Sequence, residues 1–387
     1  MKKLLAIILI VTMVSASVMG CSGGSEKEGG EEAKGTIDEA LSEKLFADIE
    51  PLEAETDLTL ALSAGATPGF IMWLAGELGA FEKANINAEY VTFANGVVMM
   101  EAAASGSWDV GQYGLGGTHT GTISHDVVTF AAGAQDNHSL QVFAPNDSEM
   151  VKSGQNTAAA PELYGTKELW EGKDIFLPVG STLHFAVITG LKHFGLDADS
   201  VKFTHMEVPN INTALRAGKC ELGGVYGNYT YGDLNEKFTP VLKAADVGCV
   251  LYSAIGATKE AYADPEKQKA MQKFLEIYFV ISDWLNDEAN LDQAAEWYMQ
   301  WNDREGLKTT KEEITNHIVN NMSYTLQENY DMFNTIGESG NNLMLEYNLE
   351  PLKFYVEQGN RTQEDLEKFS KPEFTDAKIV NAIYEGK

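Results

Sequence analysis

From about residue 57 the chain alternates between two hydrophobic periods. "DLTLALSA" (57–64) alternates polar and apolar positions and predicts a strand. "GATPG" breaks it, and "FIMWLAGELGAFEKA" (70–84) has helical spacing. A strand at 87–94, a helix at 96–106 and a strand at 109–114 follow. Gly/Thr-rich "LGGTHTG" opens a further helix, and "VVTFAAG" (127–133) predicts another strand. The pattern restarts after "APNDS" with a strand near 174–179, a helix at 181–194, a strand at 200–207, a helix at 210–218 and a strand at 221–227. "GCVLYSAI" (248–255) predicts one more strand. From about 265 the helical period takes over, and these helices are expected to pack on the first unit. Strands alternating with helices argue for an α/β fold with parallel sheets in two units.

The N-terminus reads differently. Lys2 and Lys3 precede the apolar run "LLAIILIVTMV", which is the layout of a secretory signal. The run ends in "SVMGC", which resembles the bacterial lipoprotein lipobox and implies lipid modification of Cys21. "SGGSEKEGGEEAKG" lacks the apolar residues needed to fold and reads as a tether. The expected organisation is therefore a signal peptide at 1–20, a lipid-anchored flexible tether at 21–56, lobe 1 at 57–144 with 247–387, and lobe 2 at 145–246. "TIDEALSEKLFADIEPLE", within the tether, has the pattern of a short helix.

Charge narrows the partners. The 387 residues carry a formal net charge of −29 with only three arginines, Arg216, Arg304 and Arg361. Phosphate binding needs clustered Lys/Arg, so nucleic acid is excluded as a partner. Two cysteines remain beside Cys21, Cys220 and Cys249; export would permit a disulfide, and two reduced, buried thiols are the plainer expectation. His119 and His125 are six apart and no CxxC is present, so no metal site is expected. "GLGGTH" (114–119) begins like a dinucleotide fingerprint, but His119 replaces the third glycine and no acidic residue ends the next strand.

Two ordered blocks carry a family resemblance. Glu77, Gly79, Phe81 and Lys83, followed by Gly106, Asp109 and Gly111, resemble the opening of the type II periplasmic-binding-fold proteins of the nitrate/sulfonate/taurine/thiamine-precursor group. "LWEGKDIFLPVGSTLHF" and "ALRAGKCELGGVY" resemble that group's second half, with Glu221 in place of its usual Asp. The resemblance covers roughly 57–285. It implies a two-lobed type II periplasmic-binding-protein fold with a cleft between lobes and extra C-terminal helices. It also implies an extracytoplasmic solute receptor of an ABC importer, working with permease and ATPase subunits, without cofactor and without catalysis.

In open α/β sheets ligands sit beyond the carboxyl ends of the strands. The loops there supply the candidate ligand contacts: Thr67, Phe70, Tyr113, Gly117, Thr118, Asn137, His138, Ser181, Thr182, His184, Tyr226, Asn228 and Tyr229. Gly180 lets the chain turn tightly before a helix that opens on two hydroxyls. Ser181 is there either a helix cap or a ligand contact. Phe70 and Trp73 share a helical face, for which core packing is the plainer expectation, whereas "YGNYTY" crowds three tyrosines into one loop. No arginine sits at these loops except Arg216, on a helix, which weakens a bidentate clamp on an anion. The expected solute is a sulfonate-like anion or a flat heteroaromatic such as a thiamine-precursor pyrimidine. The alternatives are an enzyme on the same fold acting on a small aromatic or sulfur compound, and an adhesin or sensor lipoprotein.

Overall fold

The computed structural model describes residues 37–93, 95–156, 158, 160, 162–231 and 234–386. The signal, the lipobox and Cys21 lie outside the described residues, as does the Asn228 side chain.

Two five-stranded sheets share one plan. The first runs β2 (Ile86–Phe93), β1 (Thr56–Ser63), β3 (Val110–Tyr113), β10 (Tyr252–Ala257) and β4 (Val128–Gln135). The second runs β7 (Lys202–His205), β6 (Asp174–Leu177), β8 (Leu222–Tyr226), β5 (Leu140–Pro145) and β9 (Phe238–Lys243). In each, three parallel strands meet a fourth that runs antiparallel, and a fifth pairs antiparallel with that one. The antiparallel strands β10 and β5 are those that arrive from the other sheet, through the crossovers after β9 and β4. This is the two-lobed periplasmic-binding architecture.

Every strand expected from alternation forms. Two were not expected, β5 and β9. β5 is "LQVFAP", and its first five residues are all buried, so no polar face alternates to mark it. Its pairing with β8 and β9 puts residues 140–144 in the second sheet, although the expected boundary placed them in lobe 1. The expected helix at 70–84 starts earlier and is divided. It runs Thr67–Glu77 with Pro68 in its first turn, stops at Gly79 (φ +70°), and resumes as Ala80–Lys83.

The folded body also begins before residue 57. Asp38 caps the helix Glu39–Leu45, Ile37 N–H donates to Glu77 O at 2.8 Å, and Phe46 is fully buried. Residues 37–56 are thus packed on the first lobe, because Phe46, Leu41 and Leu45 bring enough apolar surface to join its core.

The C-terminal helices cover the first sheet. Pro265–Asn286 supplies Phe274, Ile277, Tyr278 and Ile281 to the core, and Leu291–Arg304 supplies Tyr298 and Trp301. One helix departs from the expectation that they pack only on the first unit. Leu343–Glu357 sets Leu345, Leu349 and Leu352 against Phe369 and Ile123, but sets Phe354 and Tyr355 against Ile188, Phe185 and Phe203 of the second lobe. Cys220 and Cys249 are both free and buried, and burial pushes each thiol up to about 11.

Candidate functional site

A cavity of about 400 Å³ lies between the ends of β1, β3 and β4 on one side and β6 and β8 on the other. Its size is in the range of small-molecule sites. On the first-lobe side two helices point uncapped N-termini at it: Thr67–Glu77, after Ala66, and Leu115–His125, after Gly114. Neither has a side-chain cap, so their first N–H groups are left for a ligand or water. A third helix, Gly96–Ala103, is closed by Asn95, whose side chain accepts from Val97 and Val98 N–H at 3.0 Å each.

The "VGST" segment forms the opposite wall. Gly180 has φ +84°, where a side chain would be strained, and its N–H donates to His184 Nδ1 at 3.2 Å. Ser181 caps the helix Thr182–His193 by accepting from His184 N–H. Both readings of Ser181 therefore meet at one residue, since it caps and also lines the cavity with Thr182. The turn is held from behind as well. Tyr355 O–H donates to Ser181 O at 2.9 Å, and the His184 ring meets Phe203 edge-on at 4.6 Å. His184 stands behind the turn, and burial lowers it to about 4, so its ring is neutral and accepts.

Of the other expected contacts, Thr67, Gly117 and Tyr226 line the cavity. Phe70 does not: it is fully buried in the first core, stacked on Tyr298 at 4.3 Å. Tyr113 is equally buried, bonded to Thr129 Oγ1 at 3.4 Å, and glycines 96, 117 and 256 make room for it. Thr118 turns its hydroxyl back to Gly114 O at 3.3 Å. Tyr229 packs on a small cluster around Phe143 and Val225. His138 faces a separate, wider depression together with Gln141 and Lys243. Asn137 is spent on the crossovers: Nδ2 donates to Cys249 O at 2.7 Å and Oδ1 accepts from Leu251 N–H at 2.8 Å. It stitches the two interlobe connections together.

Three residues that the sequence reading passed over complete the site. Asp136 precedes Asn137 at the end of β4, lines the cavity, and has no donor to its carboxylate among the described residues. Burial without a partner pushes it up to about 7. A Cβ on Gly114 would stand 3.8 Å from Asp136 Oδ2 and 3.5 Å from Thr182 Oγ1, so the carboxylate, the helix at Leu115 and the opposite wall converge there. His317 and Asn321 come from the C-terminal extension, at and just beyond the end of the helix Lys311–Asn320. His317 is buried and held neutral, down at about 4. Asn321 Nδ2 lies 3.2 Å from His317 Nδ1, which must accept, so Nε2 carries the proton toward Thr67 Oγ1 at 3.2 Å. Asn321 Nδ2 also donates to Tyr231 Oη at 3.1 Å and His317 O at 2.9 Å. Asn321 Oδ1 and Ser63 Oγ are left buried with no partner among the described residues.

The profile of the family described as NMT1/THI5 like matches residues 69–278, more than half of the chain. The chain belongs to the NMT1/THI5-like family. A Brachyspira hyodysenteriae protein named as an ABC transporter periplasmic binding protein is 23% identical over 247 residues, which is 64% of this chain and 70% of that protein. Among solved structures, the periplasmic nitrate-binding protein NrtA from Synechocystis PCC 6803 matches with a TM-score of 0.64 at 13% identity, over 87% of this chain and 90% of NrtA. The periplasmic aliphatic sulphonate binding protein SsuA from Escherichia coli matches with a TM-score of 0.62 at 13% identity, over 83% of this chain and 93% of SsuA. At such identities the likeness is one of fold. It leaves the content of the cleft of this NMT1/THI5-like protein to its own residues.

Proposed function

We propose that this chain is the extracytoplasmic solute receptor of an ABC importer, capturing a small organic solute between its lobes and delivering it to permease and ATPase subunits. The observation that carries this is the interlobe cavity, walled by helix N-termini from both lobes, whose crossovers Asn137 ties together. Two lobes on such connections can hinge around a bound solute. The relatives' printed names, a periplasmic binding protein of an ABC transporter and binding proteins for nitrate and sulphonates, support the same class. Signal, lipobox and tether complete the reading: export, lipid attachment at Cys21, and residence at the outer face of the membrane. No described helix is long and apolar enough to cross a membrane.

Between the two solute classes, the lining favours a flat polar heterocycle over a sulfonate-like anion. No lysine or arginine lines the cavity among the described residues, while Asp136 and Glu207 do. Small-angle scattering of the protein with and without small molecules that co-purify with it tests the receptor reading. Compaction on adding the solute is expected. Turnover of that solute into a product would replace the receptor with an enzyme.

A further inference from the structure

Among the side chains lining the cleft, Asp136 and Asn321 each leave an acceptor unpaired. Asp136 offers a carboxylate with nothing donating to it among the described residues. Asn321, only 2% exposed, offers Oδ1 without a partner while its Nδ2 is fully engaged. The orientation of the Asn321 amide follows from His317 O, which can only accept and so calls for the N–H₂ end. Unpaired buried acceptors are costly, and the cost is relieved only by donors. No lysine or arginine is among the described residues lining the cavity. A full anion placed here would face the charge of Asp136 with nothing but helix N-termini to oppose it.

Resting on the receptor reading above, we infer that the cleft selects a solute bearing N–H donors on a cationic or protonatable group, an amine, amidine or amino-heterocycle. Asp136 and Asn321 Oδ1 take its N–H groups. The uncapped helix ends at Thr67 and Leu115 take its acceptor edge. The solute is thus donor at one end and acceptor at the other, and Asp136 is the residue that sets the class. Carboxylate–cation hydrogen bonds are the stronger kind, so exchange of Asp136 for its neutral isostere separates charge from shape.

The test uses the full chain and four probes of one ring size: benzamidine, benzylamine, benzyl alcohol and benzenesulfonate. Each is titrated by calorimetry into wild type and Asp136→Asn. Benzamidine or benzylamine is expected to bind most tightly, and Asp136→Asn to weaken that probe at least tenfold while leaving benzyl alcohol within a factor of three. Circular dichroism of the variant confirms the fold. Tighter binding of benzenesulfonate, or amine binding that Asp136→Asn does not change, overturns the inference. So does failure of both amine probes to bind. Compaction by scattering with benzenesulfonate would then preserve the receptor reading, whereas no compaction with any of the four counts against that reading too.

Discussion

The two walls of the cleft handle their polar groups in opposite ways. On the second-lobe wall the turn before Thr182–His193 is satisfied by protein groups, one of them from the C-terminal helix Leu343–Glu357. Gly180 N–H goes to His184, the Ser181 hydroxyl caps the helix, and Ser181 O receives Tyr355. On the first-lobe wall two helix ends are uncapped, and Asp136, Asn321 Oδ1 and Ser63 Oγ have no partner among the described residues. Buried polar groups are normally paired, and a wall that leaves several open at one cavity marks where a ligand completes it. On the receptor reading, the unfinished wall is the one that chooses the solute.

The largest effect should come from the residue that separates core from cleft. Phe70→Ala removes a ring stacked between Tyr298 and Trp73 and should cost about 3–5 kcal/mol of stability. A melt followed by denaturant unfolding checks it, and probe affinity should be normal in whatever remains folded. A loss of affinity alone would move Phe70 back to the cleft.

Asn137→Ala comes next. It leaves Cys249 O and Leu251 N–H unpaired at the crossovers and should cost about 2–4 kcal/mol. The apo scattering profile should also broaden, because the two connections are no longer tied. An unchanged profile with a lowered melt would make Asn137 a stabilising residue without a hinge role.

Asp136→Asn should act in the other direction on the empty protein. A carboxyl whose folded pKa, about 7, lies above its unfolded value holds its proton more tightly when native. Stability is then greatest at low pH and falls as pH rises from about 4 to the folded pKa, levelling off above it. The variant lacks this slope, so relative to wild type it should gain about 1–3 kcal/mol between pH 4 and pH 8. Tyr231, Tyr298 and Tyr324 lie near enough to feel the charge but titrate far above this window. Neutral His317, nearby, titrates at its lower edge. Parallel slopes for the two proteins would contradict an unpaired Asp136.

Ser181→Ala should be the mildest. Loss of the cap costs about 1 kcal/mol. Amine probes should bind as before, since the donor-seeking groups lie on the other wall. A tenfold loss of affinity without a change in the melt would make the Ser181 hydroxyl a ligand contact instead.

The fold was legible because its strands and helices obey clean periods, and because the two family blocks fall in order along the chain. The strands β5 and β9 escaped. β5 is buried through its first five residues, and β9 reads "FTPVLK" with a proline that demotes it. The site was legible where single stretches of sequence form it, at Thr67 and Gly117 on one wall and at the turn on the other. "VGST" declares a turn and a helix start in four residues. His317 and Asn321 lie far along the chain from Thr67 and reach the cleft only through tertiary packing, which no local pattern encodes. Asp136 was within reach: it sits in "AQDNHS", directly before Asn137 and His138, two of the expected contacts. Asn137 has the more versatile hydrogen-bonding side chain, and that versatility is used to join the crossovers.

A crystal structure of the protein with the solute that co-purifies with it is the decisive measurement. N–H groups of that solute are expected within about 3 Å of the Asp136 carboxylate, with Asn321 Oδ1 paired. A sulfonate or carboxylate seated on the Ser181 turn, with Asp136 directed away from it, would contradict that placement.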